Sequence, residues 1–151
     1  MDRVFLDANI LFSAAYRKDS GLKQIWKLSE VQLLTSAYAI EEARRNLGDR
    51  YQRGRLTRLL RMVRLVPEAV EHELPKGIQL PEKDRPIFLA ALLAGATHLI
   101  TGDVRHFGRY YRQTIGGVLI MTPADYLAAK KDRQTKGKKQ RLGSSEERRS
   151  P

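Results

Sequence analysis

The sequence contains no cysteine and no long apolar segment. Without cysteine among its 151 residues, disulfide bridges, thiolate zinc sites and a cysteine nucleophile are all excluded. No stretch approaches the ~18 consecutive apolar residues of a membrane helix. The start, MDRVFLDANILF, places aspartates at positions 2 and 7, whereas a signal peptide has a basic start and an unbroken apolar run. We therefore expect a soluble, cytoplasmic protein without a membrane partner.

Acidic side chains are outnumbered by basic ones, 17 to 28, which gives a formal net charge of +11. Residues 130–151 hold nine Lys or Arg and three acids, and residues 1–129 hold 19 and 14. Such an excess favours polyanion binding through counterion release. Because residues 130–151 are almost free of apolar side chains, we predict one domain over 1–129 followed by a basic, disordered tail. That tail either assists polyanion binding or only keeps the protein in solution.

Short apolar runs alternate with segments of helical periodicity. The runs predict strands at 4–6, 31–34, 98–101 and 118–121, with a further short one at 65–66. Helices are predicted at 37–47, from the leucine spacing of 56–63, at 85–96 and at 123–129. This alternation predicts an α/β fold with a mostly parallel sheet.

Acidic residues follow the predicted strands. Asp7 comes directly after the first strand, and Asp103 follows the strand at 98–101 after a single glycine. Glu42 lies in the helix after the second strand, and Asp84 lies at the start of the helix at 85–96. Since ligands of such sheets bind beyond the carboxyl ends of the strands, we expect these four carboxylates to converge on one cleft.

Four converging carboxylates would repel one another, and burial would raise their pKa values. They remain ionised together only if a cation occupies the cluster, and Mg²⁺ or Mn²⁺ suits oxygen ligands. Such ions orient water and clamp a scissile phosphate. The pattern therefore favours a metal-dependent phosphodiesterase.

Each acid also has a structural interpretation. Asp84 can be a helix N-cap, Asp103 a turn residue and Glu42 a solvated helix residue, with Glu41 an open alternative to it. Taken singly, these interpretations are favoured. Asp7 resists them, because an acid against an apolar strand is costly unless it serves a cap or a site, and the four together favour a site.

The fragments carrying these acids resemble one family. They are VFLDANIL at 4–11, Thr35-Ser36 with Ile40-Glu41-Glu42, DRPI at 84–87, LITGD at 99–103 and the strand with its Thr-Pro ending at 118–127. In this order and spacing they resemble the PIN-domain nucleases, over roughly residues 3–128. The small members of that family include VapC-like toxins of toxin–antitoxin pairs.

The resemblance implies a PIN-like three-layer α/β/α fold with Asp7, Glu42, Asp84 and Asp103 as catalytic, metal-binding acids. Glu42 is preferred to Glu41 because the family's helical glutamate usually precedes a leucine by five positions, here Leu47. Asn9 and Thr101 match supporting polar positions. The resemblance further implies Mg²⁺ or Mn²⁺ as cofactor, single-stranded or structured RNA as substrate, an antitoxin partner and a homodimer.

Two regions depart from the family pattern. Residues 104–107 lack an additional acid that some members carry, which leaves a second metal ion in doubt. Region 48–81 has no specific match, so its arginine-rich helix is only a candidate RNA-contacting face, with a solvated face as the favoured alternative. The candidate RNA contacts are Arg55, Arg58, Arg105 and His106.

The main functional hypothesis is a metal-dependent endoribonuclease, in particular the toxin of a toxin–antitoxin pair. The alternative is an RNA-binding PIN protein that does not cut. A receiver-like signalling domain also places aspartates at strand ends, but it needs an acidic pair after the first strand and a lysine after the last. Asp7 is followed by Ala8-Asn9 and Met121 by Thr122-Pro123, which disfavours this third hypothesis.

Overall fold

The computed structural model describes residues 1–69 and 72–147, with the side chains of its last helix up to Gly137. The strands of the described chain are β1 (Asp2–Leu6), β2 (Val31–Ser36), β3 (Val63–Val66), β4 (His98–Ile100), β5 (Thr114–Ile115) and β6 (Val118–Met121). The α-helices are α1 (Ala8–Tyr16), α2 (Ala37–Asn46), α3 (Arg50–Leu60), α4 (Arg85–Leu93), α5 (Val104–Phe107) and α6 (Pro123–Glu147). Two 3₁₀ turns cover Gly21–Lys27 and Gly108–Tyr110.

The strands form one mixed sheet in the order β3-β2-β1-β4-β6-β5. All neighbours pair in parallel except β5, which lies antiparallel to β6 at the edge. The predicted α/β fold with a mostly parallel central sheet is therefore confirmed. From β1 the chain moves through β2 to β3 on one side, while β4 and β6 lie on the other. The connections thus diverge between β1 and β4, which is the topological switch point where open α/β sheets bind ligands.

The apolar runs of the sequence form the centre of the core. Val4, Phe5 and Leu6 of β1 are completely buried, as expected for a strand between two parallel neighbours. The helix predicted at 85–96 is α4, which packs on β2 and β4 and buries Phe88 and Ala90 fully. Asp7 directly follows β1, and Asp84 directly precedes α4. The buried core therefore fixes the backbone that carries both acids.

Helix α1 was not anticipated by the sequence analysis. It begins directly after β1, with Asp7 as N-cap, and buries Ile10, Leu11, Ala14 and Ala15. It contacts both α2 and α3. Its apolar residues continue the apolar run of the strand with only Asp7 and Asn9 between, so periodicity alone gave no boundary.

Helix α6 corrects the predicted disorder of residues 130–147. It starts at Pro123 as predicted, but continues past Ala129 to Glu147. Lysine, arginine and glutamine have good helix propensity, and Lys130 at the start of this extension pairs with Asp2 (Nζ to Oδ2, 3.0 Å). The prediction for residues 148–151 lies outside the described residues, and the division into domain and tail stays a prediction. None of the described helices combines the length and hydropathy of a membrane span.

Candidate active site at the switch point

The predicted acids surround the carboxyl ends of β1 and β4. Asp7 follows β1, and its backbone N–H donates to the carbonyl of Ile100 at the end of β4 (3.1 Å). Thr101 follows β4 and continues the pairing by donating its N–H to Met121 of β6 (3.1 Å). Asp7 and the Thr101–Asp103 turn are thus held side by side by main-chain hydrogen bonds, as the strand pattern predicted.

Asp7 is an almost fully buried carboxylate, with 4% of its surface exposed. Oδ1 accepts the N–H of Ala8 (2.6 Å), and Oδ2 accepts the hydroxyl of Thr101 (2.8 Å) and the amide of Asn9 (3.1 Å). Burial raises its pKa to about 6; the hydrogen bonds from Thr101 and Ala8 oppose the rise, and the charges of Glu42 and Asp84 add to it. Asp7 is therefore held in place by neutral donors, with acidic charge around it.

Thr101 links Asp7 to the next acid. Its hydroxyl donates to Asp7 and accepts the backbone N–H of Asp103 (3.1 Å). Asn9 completes the network, because its side-chain oxygen accepts the N–H of Gly102 (2.8 Å). The two polar positions singled out from the sequence are thus the residues that join the ends of β1 and β4.

Asp84 and Asp103 lie on either side of His106. The Nδ1 atom of His106 is 2.9 Å from Oδ2 of Asp84 and also 2.9 Å from Oδ2 of Asp103. One ligand atom from each of the three residues lies within 4.8 Å of the other two, which is a spacing that a single metal ion can bridge. Within the described residues, Asp7 and Glu42 are not part of this group.

Asp84 has an unsatisfied oxygen within this group. The contact of His106 with Asp103 has hydrogen-bond geometry, whereas Oδ2 of Asp84 is buried without any hydrogen-bond partner. Asp84 occupies the N-cap position of α4, yet its side chain makes no capping hydrogen bond. Burial raises its pKa, the charge of His106 opposes that rise and the charge of Asp103 adds to it. The N-cap interpretation thus accounts for the position of Asp84 but not for its carboxylate.

Asp103 does serve as a local cap, because Oδ1 accepts the N–H of His106 (3.2 Å) at the start of α5. The turn interpretation therefore holds for one of its oxygens. The other oxygen faces His106 (2.9 Å). One carboxylate oxygen of Asp103 therefore caps α5, and the other faces His106, where it could serve as a metal ligand.

The structure separates Glu42 from Glu41. Glu42 lines a hollow with Ala8, Asn9 and Phe12, and its charge is one of those that raise the pKa of Asp7. Glu41 lies 3.9 Å from Arg45, one turn along, where both side chains are mostly exposed. The position of Glu42 fits the predicted site, and that of Glu41 fits a solvated helix face.

Sequence reasoning missed three residues around the acids. His106 was considered only as an RNA contact, although it lies between two of the acids. Tyr38 donates to the carbonyl of Lys83 (2.8 Å) and Tyr111 to the carbonyl of Thr101 (3.1 Å). Burial and then nearby carboxylates raise the pKa of both tyrosines. Of these three, only His106 had a signal in the sequence: it lies three residues after Asp103, a spacing that allows contact within one helical turn.

The candidate RNA-contacting arginines are spread over two elements. Arg55 is engaged within the protein, since Nε donates to the carbonyl of Ala15 (2.8 Å) and Nη2 to that of Tyr16 (2.9 Å). Arg58 is exposed on α3, and Arg105 is exposed on α5 next to His106. Arg105 is therefore the one that is adjacent in sequence to the acidic group.

Comparison with known proteins supports the fold only. No protein-family model matches the chain, and no curated protein matches it in sequence. Among solved structures, it is similar to a chain of VapBC2 from Rickettsia felis, crystallised bound to a DNA fragment from their promoter. The similarity has a TM-score of 0.59 at 15% identity and covers 80% of this chain and 98% of that chain. The chain thus has an α/β fold similar to that of this VapBC2 chain.

Proposed function

We propose that this chain is a divalent-metal-dependent endoribonuclease that hydrolyses phosphodiester bonds of RNA. The observation that carries the proposal is that one ligand atom from each of Asp84, Asp103 and His106 lies within 4.8 Å of the other two at the switch point, with Oδ2 of Asp84 buried and without a hydrogen bond. Carboxylates that serve only the fold are satisfied by cations or hydrogen bonds. Nδ1 of His106 lies 2.9 Å from Oδ2 of Asp84 and from Oδ2 of Asp103, with hydrogen-bond geometry only to Asp103. A single N–H cannot satisfy both carboxylates, whereas a bound cation would.

The donor set fits Mg²⁺ or Mn²⁺. Asp84 and Asp103 offer carboxylate oxygens and His106 an imidazole nitrogen, and imidazole shifts the preference toward Mn²⁺. When bound, such an ion activates a water molecule and supplies the positive charge that a phosphate needs beside these acids. Asp7 and Glu42 would contribute further negative charge or water contacts around the same ion.

The remaining residues of the site hold the acids in position. Thr101 and Asn9 hold Oδ2 of Asp7, and Thr101 also holds the backbone of Asp103. These contacts orient groups that would otherwise repel one another. Removing one such supporting contact around a metal site typically costs about 10–100-fold in affinity or activity.

The first test is metal binding and cleavage with one preparation. Mn²⁺ titration followed by electron paramagnetic resonance should show binding to wild type, and weakened binding to Asp84→Asn and His106→Ala. Labelled RNA should be cut with Mn²⁺ and survive with chelator. Unchanged binding in both variants would place the ion elsewhere and contradict the proposed site.

A matched pair of variants tests the helical acid. Glu42→Gln should abolish cleavage, whereas Glu41→Gln removes a neighbouring charge on the same helix and should leave cleavage unchanged. Circular dichroism of both variants checks that α2 is intact. Equal activity of the two variants would exclude Glu42 from the chemistry.

The alternative function is RNA binding without cleavage. It is favoured if RNA binds to wild type and survives equally in Mn²⁺ and in chelator. Asp103→Asn should then leave RNA binding and RNA survival as they are in wild type. Loss of RNA in Mn²⁺ alone, abolished by Asp103→Asn, would exclude the alternative.

The partner assignments follow from the resemblance to small PIN-domain toxins. We propose that this chain forms a homodimer and that a cognate antitoxin protein inhibits it. Growth arrest on induction in a bacterial host, absent with Asp103→Asn, would support the toxin role. Sedimentation would establish the oligomeric state, and a monomer at all concentrations would exclude the dimer.

A further inference from the structure

Helix α1 carries a partly exposed stripe that begins beside the acidic site at Asn9 and leads away from it. Asn9, Phe12, Ser13 and Tyr16 recur at the spacing of one helix face, opposite the buried residues of α1. Such a stripe on a short helix is normally covered by another element. Here Phe12 is half-buried against the core and Tyr16 is 46% exposed, so both aromatic side chains are partly accessible to solvent.

Two hollows meet at Phe12. The first runs from Glu42 and Asn9 to Phe12, and the second continues from Phe12 past Tyr16 to Arg17. Phe12 lines both hollows and Tyr16 lines the second one, and their ring centroids are 5.3 Å apart. The surface is therefore continuous with the acidic site at one end and extends along α1.

The charge changes along this surface. Glu42 lies at the end beside the acidic site, while Arg17 and Asp19 line the far end, with Lys18 between them in the sequence. Lys23 donates to the carbonyl of Lys18 (2.6 Å), which keeps these two cationic residues together. The far end thus carries excess positive charge that complements phosphate groups.

We propose that this surface is the path of single-stranded RNA leaving the active site, with bases stacked on Phe12 and Tyr16 and phosphates bound near Arg17. The proposal rests on the ribonuclease function proposed above. Nine residues of α1 span about 14 Å, which corresponds to about four stacked nucleotides. Exposed aromatic faces with adjacent cations bind single strands of any sequence, and a duplex cannot offer its base faces to them.

The exposed aromatic pair has a local effect as well. An aromatic pair one turn apart also stabilises the helix that carries it. That local effect does not account for the two hollows beside the rings or for their continuity with Glu42. A single strand that leaves the acidic site would occupy both hollows and stack its bases on the two rings.

Binding of a short fluorescent single-stranded oligouridine, followed by anisotropy in chelator, tests the path without any cleavage. Tyr16→Leu should weaken binding about tenfold, which is the usual loss of one stacked base, while Tyr16→Phe should retain binding. Tyr51→Leu is the matched control, since Tyr51 on α3 is 64% exposed and stacks with Arg50 outside both hollows. A duplex of the same length should bind equally to wild type and Tyr16→Leu.

The salt dependence provides a second readout. Arg17→Gln should reduce the slope of log affinity against log salt by about 0.7, the value for one phosphate contact of a single strand. Arg112→Gln, which breaks an exposed ion pair with Asp125, should leave the slope unchanged. Equal slopes in all three proteins would contradict the phosphate contact.

Two results would overturn the path. If Tyr16→Leu and Tyr51→Leu bind the single strand like wild type, stacking on α1 is excluded. If Tyr16→Leu alters only the sedimentation of the protein, the surface is an interface between copies. Because binding is measured without metal, loss of cleavage in every preparation would contradict the nuclease and not the path.

Discussion

The two ends of strand β1 carry one aspartate each, and the two have opposite surroundings. Asp2 contacts Lys130 (3.0 Å) and accepts the hydroxyl of Tyr126 (2.9 Å). Burial alone would raise its pKa, but hydrogen bonds from Lys130 and Tyr126 outweigh burial and lower it. Asp7 has hydrogen bonds from neutral donors and acidic neighbours, and its pKa rises to about 6.

This difference separates a structural acid from a candidate functional one. Asp2 is neutralised by a cation from the same chain, so it closes an interaction between β1 and α6. Among the described residues no cation pairs with Asp7, and the charges of Glu42 and Asp84 raise its pKa further. This arrangement costs stability unless something positive is added. The comparison shows that the charge of the neighbouring side chains distinguishes a structural aspartate from a candidate functional one better than its burial does.

The largest expected effect is on cleavage. Asp7→Asn should reduce the RNA cleavage rate by more than about 100-fold, since even outer contacts of metal ligands cost 10–100-fold. Asp2→Asn removes the same charge at the other end of β1 and should leave cleavage unchanged. Single-turnover assays at saturating Mn²⁺ compare the two, and equal losses would remove the functional distinction between them.

The next effect concerns stability against pH without metal. The pKa of Asp7 rises from 3.8 to about 6 on folding, which corresponds to about 3 kcal/mol. Because the folded state holds this proton more tightly, the stabilising contribution exists at low pH and is lost as pH rises from about 4 to 6. Asp7→Asn should therefore be more stable than wild type above pH ~6, by up to that amount, and similar below pH ~4.

Urea unfolding in chelator at low and high pH measures this difference. Asp2→Asn is the control with the opposite sign, since the lowered pKa of Asp2 contributes stability at high pH that is lost in acid. If Asp7→Asn were no more stable than wild type at high pH, ionised Asp7 would not destabilise the folded state.

The smallest effects come from single hydroxyl groups. Thr101→Val removes the hydroxyl that holds Asp7, and Tyr126→Phe removes the one that holds Asp2. We expect about tenfold weaker Mn²⁺ binding for Thr101→Val. Tyr126→Phe should keep Mn²⁺ affinity and lose about 1 kcal/mol of unfolding free energy. If Tyr126→Phe weakened Mn²⁺ binding and Thr101→Val did not, the assignment of Asp7 to the metal site and of Asp2 to the fold would be contradicted.

Much of this site could be predicted because its acids follow strands. Buried parallel strands are continuous apolar runs, and Asp7 and Asp103 follow such runs directly. Glu42 needed the family resemblance as well, because a helical glutamate beside another glutamate has no distinguishing pattern of its own.

Other parts depend on contacts between distant segments. Helix α5 has four residues, too few for a periodicity, and it is positioned by its cap on Asp103. His106 therefore gave no signal of its place beside Asp84, which is 22 positions away in the sequence. The length of helix α6 was underestimated because the polar composition beyond Ala129 was taken as a sign of disorder, although Lys130 in this extension pairs with Asp2.

That anchor has a directional consequence for the basic end of the chain. Helix α6 leaves β6 at the carboxyl edge of the sheet, reaches the amino end of β1 at Lys130 and continues for 17 more residues to Glu147. At 1.5 Å per residue this arm is about 26 Å long. The basic extension of α6 thus begins at the end of β1 that carries Asp2, whereas the candidate acidic site lies at the opposite end of that strand.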